Sequence, residues 1–333
     1  MNSGPARVLE ALRRAGGRSC SGELLSESQG ISRAQVWKHV QTLRASGYRI
    51  EGERGDGYRL VAAPDRLYPE EILPDLKTRW LARDLRYFDE TDSTNRVALD
   101  LAREGAAHGT TVVADAQTAG RGRLGRSFFS PPGTNLYTSI VLRPQVTTVE
   151  APAWILASAV AVAETVASFV SDPGSVEIKW PNDVLLGGRK TSGILMELGA
   201  EATRVAYLVL GIGVNLNVDP SDFPEEFRTT ATSLREHCGR PVERVPFARR
   251  LYENLEATLD TCQREGFSGV LPRFQSLFHM VGRTIRVRDL DGGTRAGTVA
   301  GIDRDGALLL DIAPDGPRER VVAGDVTLEK EPA

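Results

Sequence analysis

Cysteine, histidine, methionine and aromatic residues are all scarce in this 333-residue chain: three Cys, four His, three Met and 6% Phe, Trp and Tyr. Cys20, Cys238 and Cys262 form no C-x-x-C pair, and the histidines form no H-x-x-x-H pair. That argues against a structural zinc or a disulfide framework, and no metal ligand set is expected. A strong charge of one sign is lacking too. The formal net charge is −3, so nothing global points to nucleic acid or to an acidic membrane. The opening stretch "MNSGPARVLEALRRAGG" has no apolar signal core. The one long apolar run, "WILASAVAVAETVASFV" from Trp154 to Val170, is interrupted by Glu164 and is just short of a membrane span. It reads as a buried helix of a soluble domain. Cytoplasmic localisation and no membrane partner are therefore expected.

What is present is unevenly placed. Residues 1–62 hold ten Lys/Arg against six Asp/Glu, whereas the remainder holds 31 against 38. A basic head on an acidic body points to two kinds of partner. The length suggests two or three domains, and 41% hydrophobic residues suffice for a full core.

The head carries helix punctuation. Val8, Leu9 and Leu12 share one helical face, which ends at Gly16–Gly17. Ser21 can cap a second helix, stopped by Gly30. In "ISRAQVWKHVQTLRASG", Ser32 and Gln35 form a capping box, Ile31 and Val36 a hydrophobic staple, and Gly47 a C′ stop. Val36, Val40 and Leu43 continue the buried face. Two alternating runs around "GERGD" with an Asp56–Gly57 turn read as a hairpin. Three helices and a hairpin make a winged helix-turn-helix. Its third helix offers Ser32, Arg33, Gln35, Lys38, His39 and Arg44 to a DNA major groove. The competing reading is a small helical domain with a solvated charged face. Pro64, Pro69 and Pro74 mark a linker after it.

Gly120, Gly122 and Gly125 in "AGRGRLGR" have the G-x-G-x-x-G spacing of dinucleotide sites. Such a site needs a strand before the glycines and a helix after them. The strand is there in "TTVVADAQ" (110–117). In place of the helix comes "SFFSPPGTNLYTSIVL", another strand entered through Pro131, Pro132 and Gly133. A nicotinamide cofactor is thereby disfavoured. What remains is a pliable strand-to-strand loop bearing Arg121, Arg123 and Arg126. Guanidinium groups there can grip phosphate or carboxylate in a fork, or decorate a mobile basic surface loop.

Further on, "VEIKWPNDVLLGGRKTSGILMEL" (176–198) reads as three short strands, with turns at Pro181–Asp183 and Gly187–Gly188. Lys179, Asp183 and Lys190 fall at strand ends. That suits acyl or phosphoryl chemistry, and equally an ordinary meander with surface charges. "VAYLVLGIGVNLNV" is one more strand, interrupted by Gly211 and Gly213 where ligand or backbone can approach closely, with Asn215 following. Ser93, Thr94 and Asn95 open a helix, either as caps or as ligands to a polar head group. After residue 280, "TIRVRDL", "AGTVAGI" and "ALLLDI" alternate with turns at Asp291–Gly292, Asp305–Gly306 and Asp315–Gly316, the pattern of a small β-barrel.

Taken together, "SGELLSESQGISRAQVWKHVQTLR", "DSTN", "QTAGRGRLGR", "SPPGTNLY", "KWPND", "GRKTSGIL", "GIGVNLN" and "GIDRDGALLL" resemble the biotin–protein ligase family over nearly the whole chain. The match is close to the bifunctional bacterial type, and "GRGRLGR" with "KWPND" at this spacing is specific. The resemblance implies an α+β fold. It comprises a winged helix-turn-helix (1–63), a linker (64–76), a mixed-sheet, class II synthetase-like ligase domain (77–278) and an SH3-like barrel (279–333). It implies an adenylate-forming, C–N bond-forming enzyme that uses ATP and Mg²⁺ to make biotinyl-5′-AMP and passes biotin to a lysine of a biotin carboxyl carrier protein. Biotin contacts would fall to Ser93, Thr94, Asn95, Gln117, Arg121, Gly122, Arg123 and Lys190. Nucleotide contacts would fall to Gly120, Arg121, Gly122, Arg123, Gly125, Arg126, Trp180, Asn182, Lys190 and Asn215. Arg123, Lys190 and Asp183 would carry the chemistry. The adenylate-loaded homodimer would bind operator DNA and repress biotin synthesis genes. A small-acid-sensing transcription factor, or a lipoate or octanoate ligase, is the alternative. Two positions depart from the family pattern: Phe128 stands where tryptophan is usual, and Thr191–Ser192 replaces an apolar–Ala pair.

Overall fold

A computed structural model describes residues 3–53, 57–288, 293–312 and 316–328. Asp56, Asp291, Gly292 and Asp315, which carry three of the expected turns, lie outside the described residues. The chain divides into two compact units, Met1–Pro74 and Asp75–Ala333.

In the first unit, helices α1 (Gly4–Arg14), α2 (Gly22–Gln29) and α3 (Arg33–Ala45) precede the strands β1 (Arg49–Glu53) and β2 (Gly57–Ala62), which pair antiparallel. The helix starts follow the predicted caps. Ser21 Oγ accepts from the Leu24 N–H at 3.0 Å, and Ser32 Oγ accepts from the Gln35 N–H at 3.2 Å. Gly30 and Gly47 sit at φ 64° and 94°, which stops α2 and α3 at little conformational cost. Val8, Leu9, Leu12, Leu25, Val36, Val40, Leu43, Tyr48 and Ile50 form one buried cluster. At about 1.5–3 kcal/mol per large apolar side chain removed from water, this cluster is what holds three short helices together. The Pro-rich stretch after β2 is not a bare linker. It contains the helical turn α4 (Pro69–Ile72), and Glu71 accepts from Tyr48 Oη at 2.5 Å and from Arg13.

The second unit is built on a seven-stranded mixed sheet. Its strands are β3 (Leu85–Thr91), β4 (Thr111–Gln117), β5 (Leu136–Leu142), β6 (Val176–Lys179), β7 (Asp183–Leu186), β8 (Arg189–Glu201) and β9 (Arg204–Val214), in spatial order β3-β4-β5-β9-β8-β7-β6. Only β3 and β4 run parallel, joined through α5 (Thr94–Arg103). Residues of β5 alternate between two helical layers. Val141 packs with Ala98, Leu99 and Ala102 of α5. Thr138, on the opposite face, bonds Tyr252 of α8 (Arg244–Glu265) at 3.0 Å. The apolar run is α6 (Pro152–Ala167), a helix buried nearly all round against α8 and the sheet rather than a membrane span. Among the described residues no helix is long and apolar enough to cross a membrane. Short helices α7 (Leu234–Cys238) and α9 (Leu271–Leu277) complete this part.

The chain ends in a five-stranded antiparallel sheet: β10 (Thr284–Arg288), β11 (Thr294–Ile302), β12 (Leu308–Asp311), β13 (Glu319–Val321) and β14 (Asp325–Leu328), ordered β13-β12-β11-β10-β14. The small all-β segment is as expected. Among the described residues no ladder joins β13 to β14. The sheet is fastened to the seven-stranded core by the Trp180 indole N–H, which donates to the Gly306 carbonyl at 3.0 Å.

Candidate active site

A cleft opens where α5 and β8 begin and β4 and β9 end. Ser93, Thr94, Asn95, Gln117, Arg121, Gly122, Arg123, Asn182 and Lys190 all line it. Its floor is a directed hydrogen-bond network. The Thr94 N–H and hydroxyl both donate to Gln117 Oε1, at 2.9 and 3.1 Å, so the Gln117 amide N–H is turned toward Ser130 Oγ at 3.0 Å. Ser139 Oγ lies 2.8 Å from Thr94 Oγ1 and 2.7 Å from Asn95 Oδ1, and Asn95 Nδ2 donates to Glu197 at 2.9 Å. Ser93 makes no side-chain cap bond to the helix it begins, so the reading of these hydroxyls as mere caps loses its ground. Glycine is required beneath them. A Cβ on Gly211 would stand 1.9 Å from Asn95 Oδ1, and one on Gly213 would stand 2.6 Å from the Phe128 ring.

The arginine-bearing loop leaves β4 and folds back on itself. The Gly122 N–H donates to Arg126 O at 2.7 Å and the Phe128 N–H to Gly120 O at 2.9 Å. Leu124 and Gly125 take left-handed conformations at φ 56° and 73°. No helix follows, so the dinucleotide reading fails on geometry. Arg123 donates to Asn182 Oδ1 at 2.8 Å and to the Gly324 carbonyl at 2.7 Å, and Arg126 pairs with Asp325. The C-terminal sheet therefore clasps this loop.

A second, wider cavity adjoins the first, lined among others by Arg126, Lys179, Asp183, Asn215, Phe223 and Asp325. Gly122, Arg123, Phe128, Asn182 and Lys190 belong to both linings. Two cations thus stand at the junction. Lys190 Nζ is 2.6 Å from Asp183 Oδ1. Backbone register brings this about. Val184 pairs with Ser192 but Leu185 pairs with Lys190, so Thr191 is an extra residue, a β-bulge. The bulge places Lys190 on the face that carries Asp183 and Gly193. Burial lowers the pKa of Arg123 and of Lys179, while the Asp325 and Asp183 carboxylates push both back up.

Three predicted residues lie outside both linings. Gly120 is a packing glycine, since a Cβ there would meet Phe128 O and Ser130 Oγ at 2.6 Å. Gly125 forms the loop's turn, and Trp180 is 2% exposed and backs the site from the side of the C-terminal sheet. Sequence reasoning missed Glu197, Ser139, Tyr137 and Asp325. The long-range pairings that recruit them leave no local pattern. The departures are now placed: Phe128 lines both cavities, and the Ser192 hydroxyl ties β8 to the Gly213 carbonyl at 2.7 Å. Among the described residues no group of three or more His, Cys, Asp or Glu converges as a metal cage.

On the first unit, Arg33, Gln35 and Lys38 of α3 are exposed, and Ser32 serves as its cap. Arg44 is committed elsewhere: its Nε and Nη2 donate to the Ile50 carbonyl at 3.0 and 2.8 Å. His39 is half-buried against the start of α1, where a Cβ on Gly4 would stand 2.2 Å from its ring.

Three families match the chain in order: an HTH domain over residues 6–59, the biotin/lipoate A/B protein ligase family over 87–215, and the biotin protein ligase C-terminal domain over 281–328. The chain is 38% identical over 304 residues to "Bifunctional ligase/repressor BirA" of Bacillus subtilis, covering 91% of this chain and 93% of that one. It is 33% identical over 331 residues to the protein of the same name from Escherichia coli, covering 98% of each. Among solved structures, the biotin protein ligase from Aquifex aeolicus in complex with biotin and ATP superimposes with a TM-score of 0.64 at 28% identity, covering 75% of this chain and all of that one.

Proposed function

The chain belongs to the biotin protein ligase family, and on that premise we propose that it is a bifunctional ligase and repressor of the BirA kind. It activates biotin with ATP as biotinyl-5′-AMP, and it transfers the biotinyl group to a lysine of a biotin carboxyl carrier protein. One observation carries this reading: Arg123 and Lys190 stand where the polar-floored cleft meets the wider cavity. Biotin's fused-ring head would lie on the Thr94–Gln117–Asn95 floor. Its carboxylate would reach the junction, and the nucleotide would occupy the wider cavity beside Asn215 and Lys179.

Attack of a carboxylate on an α-phosphate brings two anions together. The barrier falls mainly through positioning and charge neutralisation. Arg123 and Lys190 supply both, and the contact with Asp183 aims Lys190 at the junction. Mg²⁺ would arrive on the ATP phosphates, since a cation that keeps much of its water needs few protein ligands. It would neutralise the leaving pyrophosphate. The mixed anhydride is prone to hydrolysis, so the clasped loop has the further task of excluding water. In the second step the carrier lysine must attack as a neutral amine. Asp183 is the carboxylate best placed to orient it or take its proton.

The helix-turn-helix gives the ligase a second output. A homodimer formed by the adenylate-loaded protein would present two α3 helices to operator DNA. If the adenylate favours that dimer, the dimer must favour the adenylate by the same factor. Biotin-dependent exchange of pyrophosphate into ATP, with lipoate as the control acid, tests the ligase reading. Exchange with biotin alone is expected. Exchange with lipoate alone would move the protein to the lipoate branch of its family, and exchange with neither would reduce it to a small-acid sensor.

A further inference from the structure

Among the described residues Trp37 is the one exposed aromatic side chain, 55% accessible on α3; every other Trp, Tyr and Phe is buried or half-buried. Holding an indole in water forfeits the gain from burying it, about 25 cal/mol per Å² of apolar surface. Its surroundings are chemically distinctive. α3 contains no acidic residue, and Arg33, Lys38 and Gln41 flank Trp37, with Arg33 and Gln41 one helical turn to either side. An apolar plate within a cationic, amide-bearing face does not suit a hydrophobic protein groove. It suits a polyanion that also displays apolar groups at its recognition edge. The major groove of DNA does so through the thymine methyl.

Resting on the repressor reading above, we propose that Trp37 is a base-reading residue of α3. Its indole lies against a thymine 5-methyl, while Arg33 and Lys38 hold phosphates on either side. Trp37 is the fifth residue of α3 and falls in the part of a recognition helix that reaches base edges. His39 and Arg44 point away into the fold, so Trp37 and Gln41 replace them on the reading face.

The test uses the full chain loaded with biotin and ATP. A random-sequence duplex pool is enriched on the wild-type protein. The selected duplex is then compared with a scrambled one, for wild type, W37A and K38A. W37A should bind the selected duplex about 10- to 100-fold more weakly, the discrimination one base contact supplies. Its binding to the scrambled duplex should be unchanged, which also reports an intact fold. K38A should weaken both duplexes alike and reduce the salt dependence of binding. Replacing individual thymines of the selected duplex by deoxyuridine removes only the methyl. One such position should cost the wild type affinity and cost W37A nothing. If W37A matches the wild type on the selected duplex, or if every deoxyuridine costs both proteins equally, the proposal is overturned while the repressor reading stands. If the wild type enriches no motif at all, both fall.

Discussion

Gly211→Ala isolates the geometry on which acid binding depends. In an open strand, replacing glycine with alanine stabilises a protein by about 0.5–1 kcal/mol, because glycine loses more conformational freedom on folding. Here the added methyl would lie 1.9 Å from Asn95 Oδ1 and 2.7 Å from its Cγ. Asn95 is 3% exposed and cannot retreat without leaving Ser139 and Glu197. Overpacking of this kind costs about 1–3 kcal/mol. The lost bonds cost about 1 kcal/mol for the neutral one and about 1.5–3 for the one to a carboxylate. After the glycine term is subtracted, a net loss of at least about 2.5 kcal/mol is expected, equivalent to about 60-fold in an equilibrium constant. Two assays read it: the melting temperature of the protein, and the biotin KM in pyrophosphate exchange. Asn95→Ala placed in the Gly211→Ala background removes the clashing atoms. The double mutant should therefore melt higher than the sum of the single losses predicts, with a coupling of about 1 kcal/mol or more. Wild-type biotin KM and melting temperature in Gly211→Ala, or strict additivity in the pair, would refute this account of the strand glycines.

Arg123→Gly should still form the adenylate but release it, since the loop loses its bonds to Asn182 and Gly324; adenylate appearing in free solution is the readout, and release at the wild-type rate would count against the clasp. Asp115→Ala removes the carboxylate 2.7 Å from the buried Arg244 guanidinium and should lower stability in denaturant unfolding. The hydrogen bond from Arg96 holds the Asp92 carboxyl down at about 2. Its folded pKa lies below the unfolded value of about 3.9, so the pair's contribution is complete above that pH and is lost as pH falls toward about 2. Asp92→Asn should flatten the acid limb of the stability profile within that window and lower stability at neutral pH, where the native pair's contribution is complete.

Much of the molecule was legible from local chemistry. Ser21, Ser32, Gly30 and Gly47 punctuate α2 and α3 by rules that act within a few residues, and these helices begin and end there. The glycine loop disfavoured a dinucleotide fold on sequence grounds, because another strand, entered through Pro131, Pro132 and Gly133, stands in place of the required helix. The residues of the reacting site were likewise legible as types: arginines on a pliable loop, Lys190 with Asp183, and hydroxyls at the start of α5. Side-chain direction was not. Arg44 and Lys38 both lie on α3 and read alike along the chain, yet Arg44 is drawn to the Ile50 carbonyl by the turn into β1. The exposure of Trp37 has no local signature either, because the packing of α1 and α2 on α3 leaves it outside.

Local rules of capping, turn chemistry and alternation act over one or two turns of chain, so composition and order alone determined the elements, their succession and the charged groups available for catalysis. Which of those groups face one another depended on contacts between distant segments. A single bulged residue at Thr191 decides on which side of the sheet Lys190 emerges. The C-terminal sheet, some 200 positions along the chain from the loop it clasps, supplies Gly324 and Asp325 to its arginines. The Glu197 that orients Asn95 is reached only because α5 lies across β5 and β9, and β9 is the neighbour of β8. Those are properties of register and packing, set when the sheet closes, and no window of sequence contains them.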